Sequence, residues 1–147
     1  TGRIAVAAQA IGVASAAFEK ARSYALERKT FGKTLINHQS LSFRLTDMAT
    51  QIISARQLAL FAAQKADARE RCIAESSMAK IYASEIAEKV TSSAIQIFGG
   101  DGYLQETGIE KLYRDARVLS IYEGTNDIQR IVIGREIESG WSPNQIS

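Results

Sequence analysis

From Arg3 to about Arg28, apolar residues recur at helical spacing. Ile4, Ala8, Ile11, Ala14 or Ser15, and Phe18 share one face, while Glu19, Lys20, Arg22 and Glu27 fall largely elsewhere. The pattern stops at Arg28-Lys29-Thr30-Phe31-Gly32-Lys33, where Gly32 marks a break, and the segment to Asn37 is expected to be loop. Asn37 is a fair cap for the next helix. Beyond it Leu41, Leu45, Met48, Ile52, Ala55, Ala59 and Ala62 are spaced alternately by four and three. This is the strongest periodic signal in the chain and predicts a long helix with a coiled-coil-like seam. Ile53, Leu60 and Phe61 widen its apolar face and imply cover on more than one side.

Lys65 to Arg71 is a charged stretch and the expected bend between helices, although it holds no Gly or Pro to fix the turn. The next helix carries Cys72, Ser76, Ala79, Ala83, Ile86, Val90, Ala94 and Ile97 on a small, Ala-rich face suited to close packing. Gly99-Gly100 is a natural C-terminal stop. Asp101 to Thr107 is expected to be loop, Glu110 to about Arg117 a short helix, and Asn126 to about Glu138 the last helix, buried through Ile128, Ile131, Val132 and Ile137. Ser139-Gly140 ends it, and Trp141 to Ser147 forms a polar tail that either docks through the tryptophan or stays mobile. No strand and no internal repeat is predicted. Three long helices and a shorter fourth imply an all-α fold, an up-and-down four-helix bundle.

Composition fits that picture. The 147 residues suffice for one core, and 46% are hydrophobic, too many for a disordered chain. A single Pro and abundant Ala favour uninterrupted helices. No apolar run is expected to be long enough to span a bilayer, and no signal-peptide pattern opens the chain. A net charge of +2 is too small to argue for nucleic acid. Cys72 is the only cysteine, expected as a small core residue in a reducing compartment. His38 is the only histidine, so neither a multi-histidine metal site nor a CxxC thiolate site can form, and a Ser-His-Asp triad would rest on His38 alone. Thr1 is followed almost at once by apolar periodicity, as expected for part of a longer protein.

Candidate chemistry concentrates at Ile121-Tyr122-Glu123-Gly124-Thr125-Asn126-Asp127. A short apolar run delivers one carboxylate, Gly124 removes any side chain beside it, and Thr125 is suited to cap a new helix. Glu123 is thus either a positioned general base or a surface acid complementing the helix dipole. The Arg28 to Lys33 stretch is either a phosphate grip or a solvated charge cluster.

Several segments together resemble the acyl-CoA dehydrogenase family. They are Gly2-Arg3-Ile4-Ala5, Tyr24 to Lys33, His38-Gln39, Met78-Ala79-Lys80, Gln96-Ile97-Phe98-Gly99-Gly100-Asp101-Gly102-Tyr103, Tyr113-Arg114-Asp115-Ala116 and Ile121-Tyr122-Glu123-Gly124-Thr125, in the family's order and over nearly the whole chain. The family has an N-terminal helical domain, a middle β-domain and a C-terminal four-helix bundle. The chain resembles the last, with residues 1–138 as bundle, 139–147 as tail and the other two domains outside it.

The resemblance implies roles position by position. Glu123 matches the base that removes the α-proton of an acyl-CoA thioester, and Gly124 beside it a position that contacts substrate. Arg28 and Gln39 match residues that hold FAD across a subunit interface. Gln96, Ile97, Phe98, Gly99 and Gly100 match a second FAD-binding segment, and Thr125, Asn126 and Asp127 a third. Arg3 matches a residue near the CoA portion. Some members carry the base on the first bundle helix, where this chain has Gly2, and lack the acid at the position of Glu123.

The implied reaction is α,β-desaturation. The implied acceptor is electron-transfer flavoprotein, and the implied assembly a homodimer or homotetramer. The implied location is the mitochondrial matrix of a eukaryote or the cytoplasm of a bacterium. A thioester α-proton is a poor acid in water, so its removal needs a carboxylate at hydrogen-bond reach and partly desolvated, a setting that Ile121 and Tyr122 are expected to supply. This reading also expects Glu123 on the same side of the bundle as Gly99-Gly100 and the Arg28 turn. The alternative is a non-catalytic helical module that serves oligomerisation.

Overall fold

The computed structural model describes residues 2–145. In chain order these form helix α1 (Gly2–Glu27), a minimal antiparallel hairpin of β1 (Lys29–Thr30) and β2 (Lys33–Thr34), helix α2 (Gln39–Asp67), helix α3 (Ile73–Phe98), helix α4 (Ile109–Val118) and helix α5 (Asn126–Glu138). Short 3-10 turns at Leu35–Asn37, Gly99–Tyr103, Gln105–Thr107 and Pro143–Gln145 fill the connections.

Side-chain pairings fix the directions. Tyr24 near the end of α1 stacks on Phe98 at the end of α3, so these two helices run parallel. Lys65 near the end of α2 meets Glu75 at the start of α3, which sets α2 and α3 antiparallel. α4 begins where Lys20 reaches Thr107, and the loop after it returns to Gln9 and Gly2, so the chain descends along α1. α5 continues downward, with Asn126 against Ser84 and Glu136 against Arg71. The result is an up-and-down bundle whose fourth column is split into α4 and α5. The split falls at the loop that carries Glu123.

α3 is the most enclosed element, buried around most of its circumference, and α1 packs on it most extensively. Ala7, Ala10, Ala14, Ala17, Ala21 and Ala25 of α1 are fully buried, and Ala79, Ala83, Ala87 and Ala94 answer from α3. The α2 seam is as expected: Leu45, Met48, Ile52, Ala55, Ala59 and Ala62 are buried and Leu41 packs at its edge. The bend at Lys65 to Arg71 manages without glycine because Arg69 itself adopts φ +59°.

Several expectations are corrected. The core face of α1 is rotated from the one its larger residues mark: Ala8 is exposed, while Ile4 and Phe18 are half-buried. Packing helix on helix at close range wants small residues, so alanine rather than isoleucine defines that interface. α1 is also long and apolar enough, by length and composition alone, to cross a membrane; the structure uses that apolarity in the bundle core. The Arg28 to Asn37 segment contains the β1–β2 hairpin. His38, not Asn37, precedes α2, and Asn37 instead donates its Nδ2 to Thr34 Oγ1 at 2.8 Å. Cys72 is half-buried just before α3 rather than in the core. Ile53 and Leu60 lie exposed. On α5 the buried residues are Asn126 and Gln129, while Ile128, Ile131 and Ile137 face outward. The fully buried contacts of the last helix are amides, which find polar partners on α3 and in the preceding loop, while Val132 and Ile133 are half-buried.

The tail docks through its tryptophan. Trp141 Nε1 donates to Glu75 Oε1 at 3.1 Å, and Lys65 Nζ donates to the same oxygen at 2.7 Å. Arg71 forks onto Glu136 with donors at 2.9 and 2.6 Å, fixing the end of α5. Ile146 and Ser147, the end of the predicted tail, lie outside the described residues. Burial alone would raise the Glu75 pKa, but Lys65, its own backbone N–H and Trp141 outweigh it and hold the carboxyl below the usual glutamate range.

This packing has two measurable consequences. Ala14→Leu overfills the α1–α3 contact and lowers stability by about 1–3 kcal/mol, whereas Ala16→Leu on the exposed face shifts it by under about 0.5 kcal/mol; urea unfolding midpoints of the 147-residue chain read both. Because the folded Glu75 pKa is depressed, its clasp is intact above the ordinary glutamate range and is lost only as pH falls through the lowered value. The fluorescence of Trp141, the only tryptophan in this chain, is therefore expected to change at a pH below that of exposed carboxylates, and Glu75→Gln to remove that acid step.

Candidate active site

α4 ends at Val118, whose carbonyl accepts from Ile121 N at 2.9 Å and Tyr122 N at 3.2 Å. The loop then closes on itself, with Asn126 N donating to Ser120 O at 3.0 Å. Thr125 caps α5 as expected, its Oγ1 accepting from Ile128 N at 3.3 Å. Between these fixed points Glu123 and Gly124 are both left-handed, with φ +55° and +83°. That conformation is disfavoured for glutamate and free for glycine. A Cβ at Gly124 would also lie 2.6 Å from Gln129 Nε2, so a side chain there would be strained by φ and would displace the Gln129 amide.

The turn throws the Glu123 carboxylate back against the start of α1. A Cβ built on Gly2 would stand 2.4 Å from Glu123 Oε2. The Tyr122 hydroxyl hydrogen-bonds the Gln9 side chain, and Arg3 follows Gly2 in the first turn of α1. Glu123, Gly124 and Arg3 are thereby gathered at one end of the bundle. Thr125 and Asp127 open α5 beside them. The Asn126 side chain is buried and engaged within the chain by Lys80 and Ser84, which leaves its backbone as what it can offer a ligand. Asp127 is exposed and pairs with Arg130 at 3.4 Å.

The expected desolvation of Glu123 is not found within this chain. Glu123, Ile121 and Tyr122 are all exposed. The loop leaves the fourth column to reach across α1, so nothing of the bundle lies above it.

The second group of predicted residues lies at the opposite end. Arg28, Thr30, Leu35, Gln96, Gly99 and Gly100 line a groove of about 340 Å³ between the end of α1, the hairpin and the end of α3, with Ile97 and Phe98 also on its wall. The stacked Tyr24 and Phe98 rings, 4.2 Å apart, close one side, and Tyr24 donates to Asp101 Oδ2 at 2.7 Å. Burial first, and then the Asp101 carboxylate, push the Tyr24 phenol up, keeping it protonated. Arg28 is exposed, and among the described residues its guanidinium makes no ion pair. Gln39 opens α2 beside His38, whose Nε2 sits 3.1 Å from Thr30 O and 3.2 Å from Thr30 Oγ1.

The expectation that Glu123 shares a side with Gly99-Gly100 and Arg28 is therefore wrong for a single chain. α1 runs between the two groups, and its 26 residues span about 39 Å at 1.5 Å per residue. The two groups of predicted residues therefore lie at opposite ends of one chain.

Three residues of these surroundings were not assigned a role from the sequence. Phe31, at the hairpin tip, is 98% exposed with φ +51°; a large apolar residue beside glycine in a charged turn was the available signal. Lys80 is fully buried under the Glu123 loop, and Gln129 is 1% exposed beside it. Lys80 lies in the Met78-Ala79-Lys80 match, where a lone cation on an Ala-rich face marks it out. Gln129 is polar at a helical-face position, which the isoleucine pattern obscured.

The family model for acyl-CoA dehydrogenase, C-terminal domain, matches residues 1–138. An acyl-CoA dehydrogenase of Bacillus subtilis is 47% identical over 139 residues, covering 95% of this chain and 37% of that protein. The caffeyl-CoA reductase-Etf complex subunit CarC of Acetobacterium woodii is 47% identical over 132 residues, covering 90% of this chain and 35% of that one. The solved butyryl-CoA dehydrogenase of Megasphaera elsdenii superposes with a TM-score of 0.92 at 45% identity, over 93% of this chain and 36% of that chain. This chain spans about a third of the length of these relatives. With the bundle, the loop at Glu123 and the groove at Arg28 in place, the chain belongs to the acyl-CoA dehydrogenase family and matches its C-terminal domain.

Proposed function

We propose that this chain is the C-terminal part of an FAD-dependent acyl-CoA dehydrogenase that desaturates an acyl-CoA between its α and β carbons. The observation that carries the reading is the left-handed Glu123-Gly124 turn, which presents one carboxylate beside a side-chain-free floor at Gly2 and Gly124. Glu123 acts as the base: the α C–H bond breaks, the proton passes to the carboxylate, and the electron pair stays on the thioester as its enolate. Arg3, one residue beyond Gly2, lies at the same end and is suited to an anionic part of CoA. Apolar substrate and the remainder of the protein supply the water exclusion that Ile121 and Tyr122 do not.

The groove residues fit a flavin nucleotide. Arg28 is an unspent, exposed cation beside the open backbone of Gly99 and Gly100, a setting for a pyrophosphate. Gln39, Gln96, Ile97 and Phe98 flank it, and at the other end of the bundle Thr125, the Asn126 backbone and Asp127 stand beside Glu123. FAD, when bound, supplies the acceptor for the β-hydride. Because the two groups lie at opposite ends, a second copy completes each site, and the exposed Ile128, Ile131 and Ile137 support assembly into a dimer or tetramer. The name of the Acetobacterium relative, an Etf-complex subunit, supports an electron-transfer flavoprotein as redox partner.

In the full-length protein, Glu123→Gln is expected to keep FAD and to slow flavin bleaching by acyl-CoA by about 10²–10⁴-fold; bleaching at the parent rate rejects the base assignment. Arg28→Ala and Glu123→Gln proteins, each impaired alone, are expected on co-refolding in equal amounts to recover about a quarter of parent activity. Half of randomly formed pairs are hybrids, and each hybrid holds one intact site. No recovery places both residues in the same copy's site.

A further inference from the structure

Lys80 sits in the middle of α3 with 0% of its surface exposed. A buried ammonium is disfavoured unless it is paired or fully hydrogen-bonded. Among the described residues no carboxylate pairs with it. Its Nζ donates instead to the Gly124 carbonyl at 3.0 Å and to Asn126 Oδ1 at 2.8 Å. Asn126 is in turn held by Ser84, its Nδ2 donating to Ser84 Oγ at 3.0 Å. From α5, Gln129 Nε2 donates to Glu123 O at 3.0 Å and to Gly124 O at 3.2 Å. The carbonyls of both left-handed residues are thus held from beneath by two buried side chains.

A glutamate held in the left-handed region persists only where its surroundings over-determine it. Glu123 is exposed, so no packing above it does so. An apolar residue of similar volume at position 80 would fill the same space without the cost of burying a charge, but it would leave the Gly124 carbonyl with one donor fewer. We propose that Lys80 is a positioning residue for the reaction: by holding the Gly124 carbonyl and Asn126 from α3, it fixes the backbone turn that aims the Glu123 carboxylate over Gly2. This rests on the reading of Glu123 as the proton-abstracting base. Burial pushes the Lys80 ammonium below the ordinary lysine range, and the Gly124 and Asn126 oxygens are the acceptors that offset that cost. Gln129 is its counterpart from α5, and the two act on the same peptide groups from different helices.

The test uses the full-length, FAD-loaded protein and a non-oxidisable acyl thioester in D₂O, whose α-hydrogen exchange reports proton abstraction without flavin reduction. Lys80→Met is expected to retain flavin content and to bind the thioester within about 3-fold of the parent. Its α-exchange is expected to slow about 100-fold, as for a reacting group displaced by about 1 Å. A folded, flavin-loaded Lys80→Met protein that exchanges at the parent rate overturns the proposal, and so does one whose loss lies wholly in thioester affinity. If Lys80→Met does not accumulate as folded protein, Gln129→Met removes the other donor to the same carbonyls, and the same two outcomes decide. Glu123→Gln separates the two readings: exchange retained there rejects the base itself, whereas exchange lost there and kept in the position-80 variant rejects only the positioning role.

Discussion

The structure depends on how closely α1 can lie along α3. Ala7, Ala10, Ala14, Ala17, Ala21 and Ala25 present almost no side-chain bulk, and Ala79, Ala83, Ala87 and Ala94 meet them with as little. Two helices joined this way gain many shallow contacts over their whole length, and interiors packed at that density tolerate little sliding. α1 and α3 therefore act as a single rigid rod with fixed ends. Everything with chemical promise is hung on those ends: the Arg28 groove where both helices stop, and the Glu123 loop where α1 starts.

The rod also explains why the fourth column is broken. α4 covers α1 and α3 along their upper part, and α5 covers only the lower part of α3. Between them the chain has to leave the bundle axis, and the residues from Leu119 to Thr125 make the crossing. Leu119 is buried at one side and Asn126 at the other, so both ends of the crossing are anchored. The turn at its middle is held by amide and ammonium donors, because carbonyls pointing inward toward a helix must find hydrogen-bond donors there. A polar docking surface for α5 is the consequence. It leaves Ile128, Ile131 and Ile137 of α5 facing outward, where only another surface can cover them.

The long elements were legible because their signal is redundant. The seam residues of α2 repeat one spacing, and a misjudged residue changes nothing. Gly99-Gly100 and Thr125 marked helix ends through backbone chemistry that does not depend on tertiary contacts. What was not legible depends on partners distant in sequence. The choice between the alanine face and the isoleucine face of α1 is made by α3, far along the chain. The inward side of α5 is chosen by Lys80 and Ser84, which no periodicity within α5 can announce. The candidate site residues came from the family resemblance, and the distance between their two groups is set by the length of α1. A set of matched positions carries no such distance.

Gly2 and Glu123 show what the site requires in geometric terms. They are far apart in sequence, yet a single added carbon on Gly2 would collide with Glu123 Oε2 at 2.4 Å. The start of α1 and the crossing loop thus open onto the same small volume, and only one of them can fill it. In this chain the loop places a carboxylate there, and a side chain at Gly2 would make the Glu123 carboxylate shift away from that position. On the other side Gly124 is favoured by its positive φ, and a Cβ there would also displace the Gln129 amide.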